Sequence, residues 1–496
     1  METDLGVNVA KEGKFYFISY RRKDKEEVER YLEKMVNKGM PIWYDSHIMP
    51  GDLWESLIVK KIQDCQAVIL FLSGNVFKEG KTYVYKEWKK AKSFHKKIYP
   101  VILEEIKESD IHTECKKWWE EIKKIQRVSV PEVGLDACVD EIFKAVEYNL
   151  FVVESEVLKK YNGNDSDVKI SESVKTIGQR AFSDCKTITK ITIPEGVTNI
   201  DDYAFNNCSL LSEITIPEGV TRIGDGVFSN CISLSDIVIP KSVTSIGDEA
   251  FVGCRSITEI VIPEGVTSIG SLAFADCDRL MNIVIPNSVT SIGSSAFYNC
   301  AWIMGIGIPD SVTSIGGGAF SFCNNLANFV IPKGVTSIAL DTFKGCTSLA
   351  SIEIPCGITS IGDMAFYDCA SLASIEIPKG VEKIGNEAFA GCTLFTKIII
   401  PDGIKSIGEA AFFRCSSLVE VVIGDGVASI DACTFERCAS LSRITIPGSI
   451  TSIGKKAFDG CTNLKVIRYC GTEAEWSRVE GKEWIPSDCQ VYFEKQ

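Results

Sequence analysis

Thirteen of the twenty cysteines, at positions 185, 208, 231, 254, 277, 300, 323, 346, 369, 392, 415, 438 and 461, recur every 23 residues. Thiols at that density could form disulfides, bind metal or pack as small hydrophobes. Disulfide-dense scaffolds are usually short and secreted, and side chains in one column point in parallel rather than at each other, so packing is the expected role. His47, His95 and His112 are scattered and build no metal set or triad, and no metal is expected. No G-x-G-x-x-G fingerprint occurs; Gly224-x-Gly226 and Gly424-x-Gly426 belong to repeat turns. What remains is a set of polar residues closing apolar runs near the N-terminus: Ser19, Tyr20, Arg21 and Arg22 after the first, Asp45 after the second, Ser73 after the third. Open parallel sheets bind ligands beyond the carboxyl ends of their strands. Read alone, the two arginines are exposed side chains, Ser73 caps a turn, and Glu87, amid Lys86, Lys89 and Lys90, is a solvated helix residue.

The elements that must position these residues follow from hydrophobic spacing. Phe15–Tyr20, Met40–Tyr44, Ala67–Ser73 and Ile98–Leu103 read as strands, the third fully apolar and therefore central. Val28, Tyr31, Leu32 and Met35 mark a helix stopped at Gly39. Trp54–Asp64, about Val84–His95 and about Leu135–Leu150 mark three more, and the charged stretch Glu104–Gln126 is expected to be a surface helix packing the indoles of Trp118 and Trp119 against the domain. Strands alternating with helices imply a parallel sheet covered on both faces.

Four segments then carry a specific resemblance: Phe17-Ile-Ser-Tyr-Arg-Arg, Ile42-Trp-Tyr-Asp with Ile48, Gly51 and Trp54, Leu70-Phe-Leu-Ser, and Tyr83-x-x-x-Glu87. Their order and spacing resemble the successive motifs of a TIR domain, implying a flavodoxin-like α/β fold over residues 14–150 after a tail at 1–13. TIR domains are either scaffolds that recruit other TIR domains or enzymes that split NAD into nicotinamide and an ADP-ribose product. In the NAD-cleaving kind the glutamate matched by Glu87 is catalytic. Nicotinamide leaves from a cationic pyridinium and departs neutral, so a single carboxylate that stabilises the oxocarbenium-like ribose can suffice, where most glycosidases need two. The resemblance places the first-motif residues Ser19, Tyr20, Arg21 and Arg22 around the dinucleotide, with the arginines on the pyrophosphate; the strand-end positions of Asp45 and Ser73 add these two to the expected pocket, and Tyr83 is expected to stack on a ring. NAD is then a substrate, and no cofactor is expected. The loop Ser46, His47, Ile48, Met49, Pro50, Gly51 and Asp52 is the implied TIR–TIR interface, making catalysis depend on assembly.

From Val168 to Val466 the chain reads as 13 repeats of 23 residues, approximately I-x-I-P-x-G-V-x-x-I-G-x-x-A-F-x-x-C-x-x-L-x-x. A fixed period of that length means a solenoid or array. Its L-x-x-I-x-I portion resembles the strand of BspA-like leucine-rich repeats, with caps expected at 151–167, as a hairpin, and at 467–496. No long linker separates the first cap from the α/β domain, so a rigid or semi-rigid junction is expected. Recognition belongs on outward strand positions; the middle rungs depart from the consensus at Trp302, Met304, Gly307 and Phe322, which reads as neutral drift or, alternatively, as a recognition patch.

Charge divides unevenly: residues 1–150 carry 26 Lys+Arg and 26 Asp+Glu, and the remainder 27 and 40, which accounts for the whole net −13. Neither part shows the basic stripe of a nucleic-acid binder. No apolar run suits a signal peptide or a membrane span of about 20 residues, so a soluble cytoplasmic protein is expected, which weighs against an adhesion role. The combined expectation is a signalling or defence enzyme whose TIR domains self-associate and whose solenoid binds an unknown protein or other ligand, with no nucleic acid and no membrane. The alternative is a non-catalytic TIR adaptor.

Overall fold

The computed structural model describes residues 15–494 apart from 38–39, 41, 45–51, 126 and 164. The chain divides into two compact units, Met1–Val152 with Tyr161–Asp165, and Val153–Lys160 with Ser166–Gln496. The first is an α/β sandwich. Its strands are β1 (Tyr16–Ser19), β2 (Ile42–Trp43), β3 (Ala67–Leu72), β4 (Lys97–Ile102) and β5 (Val128–Ser129), in the spatial order β2-β1-β3-β4-β5. Every pairing is parallel. This is the doubly wound order of flavodoxin-like folds.

Burial of both sheet faces explains the unbroken apolar run of β3. Ile69 and Phe71 pack into one core with Tyr31 and Leu32 of α1 (Lys25–Asn37) and Ile142 of α7 (Leu135–Leu150). Leu70 and Leu72 pack oppositely, against Val84 and Trp88 of α4 (Tyr83–Ser93) and Trp118 and Ile122 of α5 (Lys116–Lys123). The remaining helices are α2 (Asp52–Asp64), α3 (Gly74–Lys78) and α6 (Val130–Val133).

Two expectations change. The segment 104–126 is not one surface helix: only α5 is α-helical, after 3-10 turns at Glu108–Asp110 and Thr113–Cys115. Helix forms where Trp118, Trp119 and Ile122 supply an apolar face, whereas Glu104, Glu105 and Lys107–Asp110 supply none. The two tryptophans are buried, with ring centroids 5.0 and 5.2 Å from Phe77. Strand β5 was not anticipated, because two residues are too short to show alternation.

In the second unit the repeats return through two short positions, the first of which forms a strand in most repeats but not at 236–238, 305–307 and 374–376. The first is the x-Ile-x segment, as where Lys190–Thr192 pairs in parallel with Glu213–Thr215, Ile191 opposite Ile214. The second is a Ser-Ile pair, one rung directly over the next, as Ser268 on Ser291 and Ile269 on Ile292. That second ladder was also missed in the sequence for want of length. It begins at Val157–Tyr161, where Leu158 pairs with Ile177. Between the ladders the phenylalanines stack rung on rung, with centroids 5.5 Å apart and planes within 3° at Phe274–Phe297. Each column thiol from Cys208 to Cys461 donates to the carbonyl of the phenylalanine 26 residues earlier, as Cys300 Sγ to Phe274 O at 3.0 Å. All twenty cysteines are free, and the column is the packed ladder expected. Burial pushes the Cys231 and Cys323 thiols up to about 12.

At the far end Val466–Tyr469 is covered in parallel by Gln490–Phe493. Between them Glu473–Ser477 opens with a capping box made by Thr472 and Glu475. Trp476 is buried there against Tyr469, 4.8 Å between centroids. An end rung needs such a cover for its apolar side chains.

Candidate active site

Helix α4 is anchored by Val84, Trp88 and Ala91, spaced for one buried face. Tyr83 and Glu87, four apart, share the neighbouring face. That face meets the carboxyl end of β1, where the buried Ser19 hydroxyl donates to Glu87 Oε2 at 2.5 Å. A cavity of about 470 Å³ opens beside this contact, lined by Phe17, Tyr20, Arg21, Arg22, Lys23, Glu79, Thr82, Tyr83 and Glu87 among others. Its volume lies within the range of small-molecule sites, about 300–1,000 Å³.

The wall is held by a buried carboxylate. Asp24, in the 3-10 turn Arg22–Asp24, accepts from the Ser73 hydroxyl at 2.6 Å and from Asn75 Nδ2 at 2.9 Å. Ser73 also accepts from the Asn75 amide as N-cap of α3. Glu104 accepts from the Gly74 amide at 2.6 Å. The Asp24 bonds tie the loop after β3 to the turn after β1, and Glu104 ties it to the segment after β4. Burial, then the charges of Asp24 and Glu104, raises the Glu27 carboxyl above the usual range. Beyond α3, Glu79 pairs with Arg21 and, at 2.9 Å, with Lys23. The hydrogen bond from Lys23, followed by that from Arg21, holds the Glu79 carboxyl below the usual range. The cavity therefore combines three cations with two carboxylates. It also receives Thr82, the N-cap of α4, whose hydroxyl oxygen is buried with no hydrogen-bond partner among the described residues. Across α4 a second cavity of about 490 Å³ shares Tyr83 and Glu87 and is lined by Lys81, Lys86, Lys89 and Lys90.

The structure thus brings together Tyr20, Arg21, Arg22, Tyr83 and Glu87. Tyr83 is 55 % exposed, with Lys86 Nζ 5.0 Å from its ring centre. Ser19 stands behind the carboxylate, its hydroxyl turned to Glu87. Ser73 is not brought to the cavity: its oxygen is spent on Asp24 and the α3 cap, the bland role its sequence position also allowed. Asp45, Ser46, His47, Ile48, Met49, Pro50 and Gly51 lie outside the described residues, and Asp52 opens α2. Sequence reasoning missed Lys23, Glu79 and Thr82. Lys23 adjoins the arginines and was legible; Glu79 carries no local signal, because only the fold sets it opposite Arg21.

Fold and site together define a TIR-type α/β domain followed by a leucine-rich-repeat solenoid. Residues 154–281, 267–394 and 382–475 match the BspA type leucine rich repeat region, and residues 17–129 match a TIR domain. The chain belongs to the BspA-type leucine-rich-repeat family and carries a TIR domain ahead of the repeats. Among solved structures, a leucine-rich repeat protein from Bacteroides ovatus is 28 % identical, covering 68 % of this chain and 94 % of its own, with a TM-score of 0.48. A leucine rich cell surface protein from Faecalibacterium prausnitzii is 32 % identical over 66 % of this chain and 95 % of its own, with a TM-score of 0.46. No curated protein matches the chain. Among the described residues, no helix is long and apolar enough to cross a membrane.

Proposed function

We propose that the protein acts in signalling or defence by hydrolysing NAD to nicotinamide and an ADP-ribose product when its TIR domains assemble, with the solenoid as sensor or partner-binding platform. One observation carries this reading: Glu87 sits on a cavity of dinucleotide-binding size with its carboxylate held by Ser19 and three cations within the same walls. In the reaction the ribose–nicotinamide C–N bond breaks with its electron pair going to the pyridinium nitrogen, so nicotinamide leaves neutral. Glu87 stabilises the positive charge that develops on the ribose. Water then adds at the anomeric carbon and loses a proton. Arg21, Arg22 and Lys23 meet the diphosphate, and the exposed Tyr83 ring offers a stacking face. A cytoplasmic setting suits both the substrate and the twenty free thiols.

The test is nicotinamide release by concentrated or artificially clustered protein, with Glu87→Ala alongside. Release from the parent and none from the variant is expected; equal release from both sinks the reading. The alternative, a non-catalytic adaptor that recruits other TIR proteins, draws on one feature: Glu79 already occupies Arg21 and Lys23. An adaptor keeps signalling after Glu87→Ala and loses it on substitution within 46–52.

A further inference from the structure

Along the solenoid, the residues on either side of the strand isoleucine face outward, together with the exposed residue just before them. Towards the ends of this face the charges neutralise one another: Lys190 pairs with Glu213 at 2.7 Å, and Glu420 with Lys397 at 3.1 Å and Arg443 at 3.0 Å. The middle is different. Val238, Val261, Val284 and Val330 stand exposed in one column, Val238 at 80 %, and Met304 beside them is 65 % exposed. In the rung Gly305-Ile306-Gly307 a Cβ added to either glycine would meet nothing within 4 Å. This leaves a notch one strand wide, between the Val284 and Val330 rungs. Phe322 is not part of the face; it lies on the return turn, edge-on to Tyr298 at 5.6 Å. The stretch from Val261 to Val330 has Glu259 beside Val261 at one end, with Val238 one rung beyond, and Glu353 in the next rung at the other, both glutamates exposed and, among the described residues, in no ion pair.

A column of exposed valines with a gap at its centre and a glutamate at each end selects a partner with the converse chemistry. The Glu259 and Glu353 rungs are four strand spacings apart, about 19 Å, and the glycine rung lies midway. A polyproline II chain rises about 3.1 Å per residue with three residues per turn. Residues i, i+3 and i+6 of such a chain therefore lie on one side and span about 19 Å. We propose that this face docks an extended basic segment of a partner protein, with cations six residues apart meeting Glu259 and Glu353 and one large apolar side chain midway entering the notch at Gly307. The net charge of −13 favours the approach of such a segment. The inference rests on the reading of the solenoid as a partner-binding platform and does not depend on NAD cleavage.

The probe is a fluorescently labelled peptide, acetyl-Lys-Pro-Pro-Trp-Pro-Pro-Lys-amide, titrated with the full chain and followed by anisotropy. Saturable binding is expected, weakened at least tenfold when the peptide Trp becomes Ser or both Lys become Glu. The same loss is expected when the chain carries Gly307→Trp, whose side chain fills the notch from open space, or the pair Glu259→Lys and Glu353→Lys. Unchanged thermal melting establishes that each variant folds. No saturation at millimolar protein, or binding indifferent to both chain variants, overturns the proposal. So does self-association of the parent that Gly307→Trp abolishes, since a second copy then occupies the face. Nicotinamide release, measured separately, reports on Glu87 alone, so failure of either reading leaves the other standing.

Discussion

Replacing Ser19 by Ala removes a hydroxyl that donates to the Glu87 carboxylate at 2.5 Å while leaving the cavity lining in place. Hydrogen bonds to a charged group contribute about 1.5–3 kcal/mol. Glu87 is only partly buried, so water recovers part of that loss and the lower half of the range applies, about 1.5–2 kcal/mol. At 1.36 kcal/mol per decade this is roughly a 10- to 30-fold fall in kcat. On the proposed cleavage the effect falls on kcat rather than KM, because Glu87 would interact most strongly with charge that exists only in the transition state. The assay is steady-state nicotinamide release from clustered protein, with melting temperature as the control for folding. Ser19→Thr, which keeps the hydroxyl on a strand-compatible residue, should restore most of the rate. A Ser19→Ala variant within twofold of the parent in kcat, at unchanged Tm, refutes the claim that this contact positions Glu87.

Glu79→Gln should lower KM for NAD roughly three- to tenfold with little change in kcat, since two exposed ion pairs are each worth a few-fold at most and the diphosphate no longer competes with a carboxylate for Arg21 and Lys23. Because Lys23 and Arg21 depress the Glu79 carboxyl, the pairing is complete above the ordinary carboxylate range and is lost as pH falls through the depressed value; the difference between parent and variant should therefore persist from about pH 5 to 8 and close only in acid. In the solenoid, Phe297→Ala removes a fully buried ring stacked at 5.5 Å on both neighbours and should cost about 3–5 kcal/mol, with lost hydrogen-exchange protection centred on that rung; uniform loss along the array would contradict nearest-neighbour coupling. Alkylation of the native chain at pH 8, followed by peptide mass spectrometry, should modify exposed Cys356 and spare Cys231 and Cys323, whose thiols at about 12 hold only about one thiolate in ten thousand there; rapid modification of the column would refute its packed state.

The strength of each local signal decided how much of the molecule could be read in advance. The apolar run of β3 and the spacing of Val84, Trp88 and Ala91 on α4 are cooperative patterns over many residues, and the structure follows them. The two-residue strands, β5 and the Ser-Ile ladder, carry no such pattern. They exist because neighbouring chain supplies partners, as when Val101 and Ile102 pair with Val128 and Ser129. The same contrast runs through the segment 104–126: the inward packing of Trp118, an apolar residue among charges, was legible and is found against Phe77, whereas the helix's restriction to Lys116–Lys123 was not.

By itself the sequence determined what repetition and patterning can determine: a 23-residue register in which one rung's phenylalanine and cysteine lie over the next, and a parallel sheet whose strand ends carry Ser19, Arg21 and Arg22. Those follow because each unit repeats the same local contacts, so a period in sequence becomes a period in space. Tertiary structure alone decided the use of the polar groups. It turned Ser19 onto Glu87, committed Ser73 to Asp24, and set Glu79 against Arg21 and Lys23. These partners lie between 49 and 68 residues apart. A hydrogen bond over such a separation leaves no periodic trace, since it is fixed by how whole elements pack rather than by the residues beside it.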